Sequence, residues 1–152
     1  NADQLLKQMA QKKIMVEINL TSNAAILGVK NSNHPLLLYM RYQVPVALST
    51  DDEGVLRTDL TNEYLRAVLT YGFSYSQLKT FARNSLTYSF LPGQSLWEDN
   101  INLIPIKACI DDVMGTQNPS PACEAFLKAN EKAQMQWRLE QQFGEFEKTA
   151  SV

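Results

Sequence analysis

Two aspartates stand side by side at Asp51-Asp52, directly after the run Val44–Leu48. Val44, Val46 and Leu48 are apolar, Pro45 marks the start, and Ser49-Thr50 lead into the acids. A continuous apolar run bounded in this way suits a strand covered on both faces, as in a parallel sheet. Acids at the C-terminal end of such a strand lie where α/β barrels place their chemistry. Two adjacent carboxylates are electrostatically costly unless a cation or a hydrogen-bond donor is near. The plainer reading is a helix cap, a task aspartates commonly perform. The chain's lone histidine, His34, precedes Pro35 and reads as a helix-capping residue at the surface.

The elements that must position these residues follow from pattern. Asp3–Lys12 reads as a helix with Asp3 as N-cap, and Ile14–Ile18 as a strand. Asn19–Asn23 is polar and turn-forming, and Ala24–Val29 suits a helical turn stopped by Gly28. Asn31-Ser32-Asn33 forms a cap cluster before a helix that opens at Pro35 and gives way to the Val44–Leu48 strand. This alternation predicts parallel βαβ organisation. Thr61–Tyr71, stopped by Gly72, and Ser74–Leu91, stopped by Pro92-Gly93, read as helices. Asn102–Met114 and a single long Pro119–Lys148 helix complete an all-helical tail, with no strand expected after Thr50. The best linker is Pro92–Asn100, so the expected domains are 1–100 and 101–152. Trp97 and Trp137 read as packing residues.

The 152 residues suffice for a domain with a real core. A formal charge of −2, from 14 basic and 16 acidic residues, with no basic block, disfavours nucleic acid and anionic membranes as partners. No apolar run approaches the roughly 20 residues that span a bilayer, and the N-terminus does not read as a signal peptide. Asn1 is not a natural start, so the sequence is expected to be either an excised fragment or a processed piece. Cys109 and Cys123 flank the turn-rich Gly115–Pro121, and form either one disulfide or two buried thiols. A disulfide here would favour a periplasmic or secreted source.

The order Thr21-Ser22-Asn23, Asn33-His34-Pro35, Ser49-Thr50-Asp51-Asp52, Ala82-Arg83-Asn84-Ser85 resembles the C-terminal part of the adenosine/AMP deaminase family over roughly residues 3 to 92. Asn33-His34-Pro35 is especially similar to its secreted growth-factor-like branch. The resemblance implies an α/β fold, the C-terminal fragment of a (β/α)8 barrel holding its last two parallel strands, with the helical tail appended. It implies a zinc-dependent hydrolase that converts adenosine and water to inosine and ammonia. Asp51 would be the zinc's carboxylate ligand, and Asp52 would hydrogen-bond the purine N7. Ser22 and Asn23 either orient the site's carboxylates or cap the turn at Asn23–Leu27. Arg83, Asn84 and Ser85 read as structural hydrogen bonders.

The sequence also departs from the family. Its zinc-binding histidines belong to earlier strands, its general-acid glutamate has no counterpart at a matching motif position, His34 occupies none of the histidine positions, and Asn19-Leu20 stands where many members have Cys-Pro. The zinc ligand set is therefore incomplete, and the 152 residues alone are expected to be inactive and to self-associate through uncovered strands. The competing expectation is a non-catalytic helical module whose long C-terminal helix binds a partner or a copy of itself.

Overall fold

A computed structural model describes residues 1–150 of the chain. The fold is mixed α/β, mostly helical, with a small parallel sheet, and it divides into two units, Asn1–Ser85 and Leu86–Val152.

The first unit opens with α1 (Ala2–Gln11), capped by Asn1, whose side chain accepts the Asp3 N–H. Asp3 is therefore not the cap. Its carboxylate pairs with Lys7 one turn on and accepts the Tyr42 hydroxyl. β1 (Val16–Ile18) and β2 (Val46–Leu48) pair in parallel, with Val16 opposite Val46 and Ile18 opposite Leu48. The parallel order expected from the alternation is thus present, though each strand is shorter than its apolar run. All three β2 residues are buried, as a strand covered on both faces requires.

Between the strands lie α2 (Leu20–Leu27) and α3 (Leu36–Arg41). α2 begins inside the segment expected to be a polar turn. It ends at Gly28, whose φ of +68° suits a residue without a Cβ. After β2 come α4 (Glu53–Leu56), α5 (Leu60–Tyr71) and α6 (Tyr75–Thr87). Asp59 caps α5 by accepting the Asn62 N–H at 2.7 Å. α6 stops at Thr87, short of Pro92-Gly93. Ile18, Leu20, Leu36, Val46, Leu48, Ala67, Phe73 and Phe81 form the core, drawn from both strands, the helices that follow them and the connection between α5 and α6.

The second unit overturns the expectation of an all-helical tail. β3 (Trp97–Asp99) and β4 (Ile104–Pro105) form an antiparallel hairpin where a helix over Asn102–Met114 was expected. The reason is local. The Asp99 carboxylate accepts the N–H groups of Ile101 and Asn102, closing a turn that competes with a helix. Pro105 denies the segment a helical backbone donor. The proposed linker packs into this unit too, since Leu96 is fully buried.

The long Pro119–Lys148 helix is in fact two, α7 (Pro121–Ala129) and α8 (Glu131–Ala150). The break falls at Asn130, which leaves helical dihedrals (φ −135°, ψ 97°). Its side chain bonds the Gln94 N–H and the Phe126 carbonyl, contacts that periodicity does not encode. The core joins Leu96, Trp97, Leu127, Ala133 and Trp137 to a Cys109–Cys123 disulfide. The two tryptophans are packing residues. The periplasmic or secreted source attached to such a bond is withdrawn. Both cysteines are fully buried, and the bond staples this unit without assigning a compartment. No helix among the described residues is long and apolar enough to cross a membrane.

Candidate active site

The parallel pairing brings the C-terminal ends of β1 and β2 side by side, and the Ser49 N–H extends the ladder by donating to the Ile18 carbonyl at 3.0 Å. Each strand then releases its chain into a different structure: β1 into the first turn of α2, β2 into the exposed Asp51-Asp52 corner. The buried Ser22 hydroxyl in that first turn donates to Asp51 Oδ2 at 2.6 Å. A bond this short to a carboxylate is of the strong, charge-assisted kind.

Asp51 sits in the left-handed region, φ +57°, a conformation aspartate tolerates better than most residues. Its carbonyl accepts the Glu53 N–H, which turns the chain into α4. Asp52 occupies the N-cap position of α4, yet its side chain makes no capping hydrogen bond. Neither carboxylate is therefore engaged as a helix cap: one holds Ser22, and the other is exposed beside it.

Asn23 turns to a different partner. His34 Nδ1 accepts the Leu36 N–H at 3.1 Å, so the ring proton resides on Nε2, which donates to Asn23 Oδ1 at 2.9 Å. The histidine does cap the start of α3, but it is buried rather than at the surface. Burial pulls its pKa below the ordinary histidine value, in keeping with the neutral ring these bonds require. In the Ala82–Ser85 motif, Asn84 donates to the Val46 carbonyl at 2.8 Å and ties α6 to β2, while Ser85 bonds within its own helix.

Sequence reasoning missed a clamp on α2. Glu63 of α5, fully buried, accepts the Thr21 N–H on Oε2 at 3.2 Å, and Arg66 Nη1 donates to Thr21 Oγ1 at 3.2 Å. The available signal was an acid sharing the inward stripe of α5 with Ala67, four residues on.

Zinc is the metal implied by the resemblance. Among the described residues no three His, Cys, Asp or Glu side chains gather in a metal-binding group. The residues present therefore do not make a zinc centre on their own, and Asp51 and Asp52 offer carboxylates without the histidines that would accompany them.

The family model for adenosine deaminase matches residues 1–98. The chain is 36% identical over 101 residues to an aminodeoxyfutalosine deaminase of Streptomyces coelicolor, covering 64% of this chain and 26% of that protein. It is 31% identical over 90 residues to an adenosine deaminase of Clostridium acetobutylicum, covering 59% and 27%. It is 32% identical over 92 residues to an N6-methyl-AMP deaminase of Danio rerio, covering 60% and 26%. The chain thus spans about a quarter of the length of these curated relatives.

Proposed function

Because the chain belongs to the adenosine deaminase family, we propose that it is the C-terminal part of a zinc-dependent deaminase acting on adenosine, with its two strands as the last two of a (β/α)8 barrel. Asp51 is assigned as the carboxylate ligand of a zinc ion whose other ligands come from outside these 152 residues. Asp52 is assigned to the purine N7, and Ser22 to the orientation of Asp51. Residues 1–100 would belong to the barrel and 101–152 to an extension of it, with the β3–β4 hairpin spanning that boundary.

The observation that carries this reading is the 2.6 Å bond from Ser22 to Asp51 across two parallel strand ends. It holds one of the adjacent acids in a fixed direction, while the other keeps its side chain clear of the capping role at α4. Pinned and exposed carboxylates at the C-terminal mouth of a parallel sheet suit a site for a cation and a polar ligand better than they suit fold stability.

The test uses the intact deaminase that contains these residues, assayed in parallel with adenosine, aminodeoxyfutalosine and N6-methyl-AMP. Asp51→Ala should remove both zinc and turnover. Asp52→Ala should retain zinc and lose about 2–4 kcal/mol of transition-state stabilisation, as for one preorganised charged contact. The 152-residue chain alone should not deaminate adenosine, since a catalytic zinc needs about three protein ligands plus water. An Asp51→Ala enzyme that keeps metal and rate, or deamination by the isolated chain, would show the assignment to be wrong. Turnover confined to one of the other two substrates would move the substrate away from adenosine.

A further inference from the structure

Glu63 is a carboxylate in an expensive place. Its side chain is fully buried in the first turns of α5, and Oε1 has no hydrogen-bond partner among the described residues. An unsatisfied buried oxygen is destabilising, and a well-packed apolar residue would avoid that cost. Its other oxygen shows what it does. Oε2 accepts the N–H of Thr21, the second residue of α2.

α2 lacks a local cap, since Asn19 stands at the N-cap position and makes no side-chain capping bond. Glu63 thus performs from α5 the task of a cap, satisfying one of the free donors of the helix. Three residues further along α5, Arg66 holds the Thr21 hydroxyl. Thr21 is gripped at both backbone and side chain, and the next residue is Ser22, the donor to Asp51. Asp51 in turn has a left-handed backbone, which persists only where its surroundings determine it.

We propose that Glu63 is a positioning residue which, with Arg66, fixes the first turn of α2 so that Ser22 holds the Asp51 carboxylate in one orientation. It touches no substrate and acts only through Thr21 and Ser22. This rests on the deaminase reading of Asp51.

The experiment is steady-state kinetics on the intact deaminase. Glu63→Ala should lower kcat by about 10- to 100-fold, the scale of a displacement near 1 Å at a reacting group, with KM changed by less than about twofold. Glu63→Gln, whose amide oxygen can still accept the Thr21 N–H, should restore most of the loss. Ser22→Ala combined with Glu63→Ala should be no slower than the slower single variant, because both act on one chain of contacts. If Glu63→Ala fails to fold, Thr21→Val removes the hydroxyl that Arg66 grips without emptying the core. It should slow kcat by about 3- to 10-fold, again without adding to Ser22→Ala. Hydrogen exchange supplies a readout apart from activity: the Thr21 amide should exchange faster in Glu63→Ala and recover in Glu63→Gln. Multiplicative effects with Ser22→Ala, or full kcat in the Glu63 and Thr21 variants while Asp51→Ala is inactive, overturn the positioning role alone. Full activity in Asp51→Ala overturns the deaminase reading on which it rests.

Discussion

Asn84 offers the sharpest check on how the acids are held in place. Its side-chain amide donates to the Val46 carbonyl at 2.8 Å, and both residues are nearly excluded from solvent, at 8% and 1% exposure. Val46 opens β2, the strand that delivers Asp51. Asn84→Ala leaves that carbonyl buried and unpaired, which costs about 1–3 kcal/mol, and 2 kcal/mol is a fair central value. Asn84→Asp keeps the shape but replaces the donor with an acceptor facing an acceptor, so it should cost at least as much. The assay is amide hydrogen exchange at Ser49, bonded to Ile18, and at Val16, bonded to Pro45, which report on the strand pair directly. A loss of 2 kcal/mol corresponds to roughly 30-fold faster exchange. Ser85→Ala, which removes only a bond within its own helix, should change these rates by less than about threefold. If Asn84→Ala exchanged no faster than Ser85→Ala, the reasoning that the Asn84 bond anchors β2 would fail.

Replacing Cys109 and Cys123 with alanine removes a cross-link between residues 14 apart, and should destabilise the second unit by about 3 kcal/mol, read by denaturant titration of Trp97 and Trp137 fluorescence. His34 has a native pKa below its ordinary value of 6.5, so its contribution to stability is present above pH 6.5 and is lost as pH falls through the native value. Over that window stability should decline by up to about 1.4 kcal/mol per pH unit, and an NMR titration placing His34 at or above 6.5 would contradict this. The isolated chain has a two-stranded sheet and strongly exposed Ile26, Leu27, Val55 and Leu69, so sedimentation should show concentration-dependent association. A monomer at high concentration would count against it.

The sequence by itself determined what depends on neighbours along the chain. The apolar run before Asp51 made β2 a strand buried on both faces. Gly28 and Gly72 stopped α2 and α5, because a left-handed C-cap favours the residue without a Cβ. The alternation of helix and strand set the parallel order, and four short motifs in sequence marked the family. Tertiary structure decided what depends on residues distant in the chain. α2 begins at Leu20 rather than after a polar turn because Glu63, 42 positions away from Thr21, caps it. The tail helix breaks at Asn130 because Gln94, 36 positions earlier, draws its side chain away. His34 is buried because Asn23 and Leu36 satisfy both ring nitrogens, which removes the penalty that would otherwise keep an imidazole in water. The same holds at the site. Asp51 and Ser22 were legible as residue types, but their 2.6 Å bond across 29 positions exists only because parallel pairing sets two strand ends together.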